Sequence, residues 1–120
     1  MPESRFEPVF RDLKAILSRY AADLDVTVDE AGRYALQTPY SPKWKKPLAF
    51  GEVKVGKRYV SFHLMPVYMY PDLLDSVSDG LRGRMQGKAC FNFTSVDDAL
   101  FDELGQLVEW GYERLRTDCR

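Results

Sequence analysis

Two amphipathic stretches, one near each end of the chain, enclose a middle in which apolar and polar residues alternate. The first stretch places Phe6, Val9, Phe10, Leu13, Ile16, Leu17, Tyr20 and Leu24 at three- and four-residue steps, a stripe that a helix gathers on one face. The spacing predicts a helix over residues 5–24. Ser4 and Glu7 fit a capping box, and Pro8 is tolerated because it lies in the first turn. The second stretch starts after Ser95, the predicted cap with Asp98 three residues on, and runs to about Arg116. Leu100, Leu104, Leu107, Val108, Gly111 and Leu115 form its stripe. Each helix needs an apolar surface to pack on.

Between them the period falls to two. Val26 and Val28, then Tyr34 and Leu36, alternate with polar residues around a turn at 29–32, which predicts a hairpin. Residues 39–47 hold three prolines and exclude regular structure. A second hairpin is predicted from residues 48–55 and 58–65 around Gly56-Lys57. Pro66 and Pro71 bracket residues 67–70, read as an edge strand or an extended crossing. One or two short helical turns follow over 72–85, with Ser78 as a cap, and residues 88–93 read as the last strand. Adjacent hairpins favour antiparallel pairing. The predicted fold is α+β: one domain over residues 1–120, a two-layer sandwich whose sheet of five or six strands carries both long helices on one face.

Alternation also sorts the strand side chains. Val60, Phe62, Leu64, Ala89, Phe91 and Phe93 are assigned to the helix side. Tyr59, Ser61, His63, Cys90 and Asn92 are assigned to the outer face, beside Lys54 and Lys88, as candidate ligand or partner contacts. The 72–85 segment is the one element left to shield that face. His63 and Cys90 on neighbouring strands also define a thiol-enzyme alternative, since a hydrogen-bonded Cys–His pair can supply a thiolate nucleophile. No fuller catalytic constellation is present, and the main reading is a non-enzymatic binding domain.

Net charge is −1 for the whole chain, but its distribution is uneven. Residues 39–93 carry nine basic and four acidic groups, while both flanking regions are acidic. A basic middle can attract an anion or an acidic partner. Lys45 and Lys46 beside Trp44, with Arg82, Arg84 and Lys88 around two glycines, are the anion-binding candidates. The overall charge argues against nucleic-acid binding, which calls for a basic domain. One histidine and two cysteines exclude four-ligand zinc modules and multi-disulfide scaffolds. No apolar run approaches a membrane span, and the opening residues lack a secretory h-region, so a cytoplasmic location with Cys90 and Cys119 as free thiols is expected.

Residues 46–68, from Lys46-Pro-Leu-Ala-Phe-Gly-Glu-Val-Lys-Val-Gly-Lys to Phe-His-Leu-Met-Pro-Val-Tyr68, resemble the YdhG-like domain family, as does Arg84-Met-Gln-Gly-Lys-Ala-Cys-Phe-Asn-Phe93. The resemblance implies a small bacterial protein with a frataxin-like α–β–α sandwich, one branch of which is assigned an intracellular iron-chaperone role. By that likeness iron would bind weakly at Asp23, Asp25, Asp29 and Glu30, an acidic surface by the first helix and strand that Arg11, Lys14 and Arg19 interrupt.

Overall fold

The computed structural model describes residues 5–118. The chain order is α1 (Glu7–Ser18), β1 (Asp25–Glu30), β2 (Arg33–Gln37), β3 (Ala49–Val55), β4 (Val60–Leu64), α2 (Met65–Met69), a 3-10 turn (Pro71–Ser76), α3 (Asp79–Arg82), β5 (Met85–Gln86), β6 (Cys90–Phe93) and α4 (Asp98–Asp118). All strand pairs are antiparallel, in the order β1-β2-β3-β4-β6-β5. The architecture is the predicted α+β one, with α1 and α4 packed together over one face of the sheet. Among the described residues no helix is long and apolar enough to cross a membrane.

Alternation builds the core. Tyr34, Leu36, Val53, Val60, Phe62, Leu64, Phe91 and Phe93 point to the helices, and none is more than 3% exposed. They meet Val9, Leu13, Ile16 and Leu17 of α1 and Phe101, Leu104, Leu107 and Val108 of α4. Each such side chain contributes roughly 1.5–3 kcal/mol on burial, so the inward face is strongly enforced.

Several local features differ from the sequence expectation. Helix α1 ends at Ser18, after which Tyr20, Ala21 and Asp23 donate to carbonyls three residues back. The tightened turns keep Tyr20 and Leu24 packed against the core. Ser4, the expected cap, lies outside the described residues. Residues 67–70 are neither edge strand nor extended crossing: helix α2 carries Pro66 in its first turn, where its fixed φ suits a helix and its missing N–H is not needed. Asp97, not Ser95, caps α4, its Oδ1 accepting the Leu100 N–H at 3.1 Å. Ser78 caps α3 as expected. Strand β5 has two residues, too few for alternation to reveal.

The short elements also lie on the other side from the one expected. Helices α2 and α3 and the 3-10 turn all pack against α4, so the 72–85 segment thickens the helix layer and leaves the outer face of the sheet bare.

Gly111 brings α2 against α4. A Cβ there would stand 2.9 Å from Cβ of Pro66, a rigid ring, whereas a Cβ at Gly105 would meet only the mobile Arg19 guanidinium at 3.3 Å. Replacing an interior helix glycine by alanine gains about 1 kcal/mol of propensity, and overpacking costs about 1–3 kcal/mol. In urea unfolding, Gly105→Ala should match or exceed the wild type, and Gly111→Ala should fall about 1–3 kcal/mol below Gly105→Ala.

Candidate functional site

The bare face is laid out by strand register. Glu52 of β3 pairs with His63 of β4, His63 with Cys90 of β6, and Cys90 with Gln86 of β5, so these four form one row across the sheet. A second row runs through Lys54, Ser61 and Asn92. All five residues assigned to this face from the sequence have half-buried or exposed side chains, and none enters the core. Asn92 Nδ2 donates to Gln86 Oε1 at 2.7 Å, and the Tyr59 hydroxyl reaches the same oxygen at 3.4 Å.

His63 Nδ1 and Cys90 Sγ are 3.2 Å apart. Burial pushes the imidazole below its ordinary pKa, opposed by the nearby Glu52 carboxylate. Burial also pushes the Cys90 thiol up, and Glu52 adds to that. Both effects favour a neutral thiol beside a neutral imidazole, the opposite of the thiolate–imidazolium pair of a nucleophilic cysteine. Glu52 is held by Arg33, whose Nε lies 2.6 Å from its Oε2. Among the described residues no group of three His, Cys, Asp or Glu side chains is placed to hold a metal ion. Cys90 is a free thiol, and Cys119 lies outside the described residues.

At the β3–β4 end of the same face, Lys54, Lys57, Arg58, Tyr59 and Ser61 line a cleft of about 360 Å³. None of its three cations has an acidic partner among the described residues. Alternation singles out Lys54 but neither Lys57, which it leaves in the turn, nor Arg58, which it counts as the first residue of a strand that begins only at Val60. The available signal was the clustering of three cations within five positions around Gly56.

The other candidates are dispersed. Lys45, at φ 60°, and Lys46 sit in the β2–β3 loop, where Ser41 bridges to Lys46. Arg82 donates to the Leu74 carbonyl, and exposed Arg84 and Lys88 flank β5. No hydrogen bond joins these two groups among the described residues. Of the four acids, Asp23 follows α1, Asp25 and Glu30 stand at opposite ends of β1, and Asp29 is paired with Lys14 at 3.0 Å. Strand rise separates Asp25 from Glu30 by roughly 16 Å.

No protein-family model, curated protein or solved structure matches this chain.

The lowered pKa of His63 has a measurable consequence. Between its folded value and about 6.5 the unfolded chain binds more protons, so stability falls as pH drops through that window and is retained above it. From about pH 7.5 to about pH 5.5, urea unfolding should show a larger loss for the wild type than for His63→Gln. Equal losses would remove His63 from the account.

Proposed function

We propose that this chain is a non-catalytic binding domain that holds a small phosphate-bearing anion on the bare face of its sheet. The observation that carries the reading is the cleft in which Lys54, Lys57 and Arg58, without acidic partners among the described residues, share a surface with the Tyr59 and Ser61 hydroxyls. Lys and Arg supply charge-assisted hydrogen bonds to phosphate oxygens, and hydroxyls add neutral donors. The cleft belongs to the basic stretch of the chain, and the acidic stretches on either side disfavour a long polyanion. A small ligand fits that balance better than a nucleic acid.

The resemblance to the YdhG-like family is compatible with this reading, because a shared sandwich leaves the site to be set by particular side chains. Separation of Asp25 from Glu30 along β1, with Lys14 on Asp29, favours the anion over iron handling. Neutrality of the Cys90–His63 pair favours binding over thiol chemistry.

Titration with inorganic phosphate and pyrophosphate, followed by amide chemical shifts, tests the reading. Pyrophosphate should bind more tightly than phosphate, move the amides of residues 54–61, and weaken as salt is raised. Loss of one charge-assisted hydrogen bond costs roughly 1.5–3 kcal/mol, so Lys57→Ala or Arg58→Ala should each weaken binding about tenfold or more. These side chains are exposed, so the variants should unfold like the wild type. Pyrophosphate affinity unchanged in the combined Lys54→Ala, Lys57→Ala, Arg58→Ala protein would refute the assignment.

A further inference from the structure

A separate cleft of about 250 Å³ opens on the helix side of the molecule, where the turn after α1, the start of the β2–β3 loop, β3 and the end of α4 meet. Its apolar wall is aromatic. Phe50 and Tyr112 line it and pack with Tyr20, with ring centroids 4.8–6.0 Å apart. The volume lies just under the roughly 300–1,000 Å³ of sites for drug-sized ligands, which suits one amino-acid-sized molecule and excludes a folded peptide.

Two buried hydroxyls among the lining residues hold unused donors. Thr38 is 6% exposed and Ser41 2% exposed. Each accepts one backbone N–H, from Leu48 at 2.8 Å and from Trp44 at 3.4 Å respectively. Neither hydroxyl donates a hydrogen bond to a described residue. Both oxygens are satisfied as acceptors, and each O–H can still donate to a ligand oxygen in the cleft.

The remaining polar groups carry opposite charges. Arg116 contributes a guanidinium that uses Nη2 on Glu113 and has further donors to offer, while Asp23 contributes a carboxylate. An aromatic carboxylic acid alone would meet repulsion from Asp23, and an aromatic amine alone would meet it from Arg116. A ligand with both charges avoids both penalties. We infer that this cleft is a second binding site, distinct from the outer-face cleft, for a small aromatic zwitterion of the aromatic amino-acid class. Its ring packs against Tyr112, which the buried Phe50 backs, its carboxylate faces Arg116 and the two hydroxyls, and its ammonium faces Asp23.

The test is calorimetric and amide-shift titration of the full chain with L-tryptophan, phenylacetate and phenethylamine, each to about 10 mM. Saturable L-tryptophan binding is expected, tighter than that of either single-charge probe, with shifts at residues 38–41 and 112–116. Arg116→Gln should weaken L-tryptophan about tenfold or more while sparing phenethylamine, and Asp23→Asn should weaken L-tryptophan while sparing phenylacetate. Both side chains are solvent-exposed, and thermal melts check that each variant is folded. The combined Lys54→Ala, Lys57→Ala, Arg58→Ala protein should bind L-tryptophan as the wild type does, which separates this site from the anion cleft. No saturable binding of L-tryptophan, affinity no better than phenylacetate, or insensitivity to both cleft variants would each overturn the inference.

Discussion

A one-residue slip of β4 against its neighbours would turn Val60, Phe62 and Leu64 to solvent and send Ser61 and His63 into the core. Each of the three apolar side chains would forfeit roughly 1.5–3 kcal/mol, and an imidazole would have to be buried without the thiol it now faces. The register of β4 with β3 and β6 is therefore fixed by the inward face alone. Everything on the outer face follows from it: the Glu52–His63–Cys90 row, the Lys54–Ser61–Asn92 row, and the approach of His63 to Cys90 at 3.2 Å.

Because that register depends on a period-two pattern, much of the outer face was legible in the chain. Alternation along residues 58–65 and 88–93 is enough to place His63 and Cys90 on one side, once the two strands are taken as neighbours. The end helices were legible for the same reason, through a 3.6-residue period. What periodicity could not reach were features set by tertiary contacts or single hydrogen bonds. Helix α2 depends on Pro66 packing against Gly111, forty-five positions away in sequence, and no local pattern announces that partner. The choice of Asp97 over Ser95 as the α4 cap depends on which side-chain oxygen reaches a free N–H of the first turn, and it is Asp97 Oδ1 that reaches that of Leu100. Convergence of Lys57 and Arg58 with Lys54 depends on the path of a turn.

Irregularity in the sheet has a comparable role at the helix-side cleft. Leu36 pairs with Gly51 and Gln37 with Ala49, so Phe50 is the extra residue of a bulge. A strictly alternating β3 would set Phe50 on the outer face with Glu52 and Lys54. The bulge instead lets its ring pack with Tyr20 and Tyr112, and Phe50 is fully buried. Gly51 beside it makes room for α1, since a Cβ there would stand 2.8 Å from Leu17 Cδ2. One departure from the rule that organises the outer face thus builds the aromatic wall of the cleft on the other side.

β3 consequently serves both surfaces, and the electrostatics of the two need not interfere. At physiological salt, exposed charges separated by more than about 8 Å are largely screened from one another. A near-neutral total charge therefore does not decide what a local cluster attracts. At the outer-face cleft Lys54, Lys57 and Arg58 lie within one Debye length of any anion that enters, and the acidic residues of α4 belong to the opposite, helix-bearing layer. At the helix-side cleft the charges come as an opposed pair, Arg116 and Asp23, whose fields largely cancel at a distance and are felt only in contact. The first arrangement selects a ligand by the sign of its charge, and the second by where its charges sit.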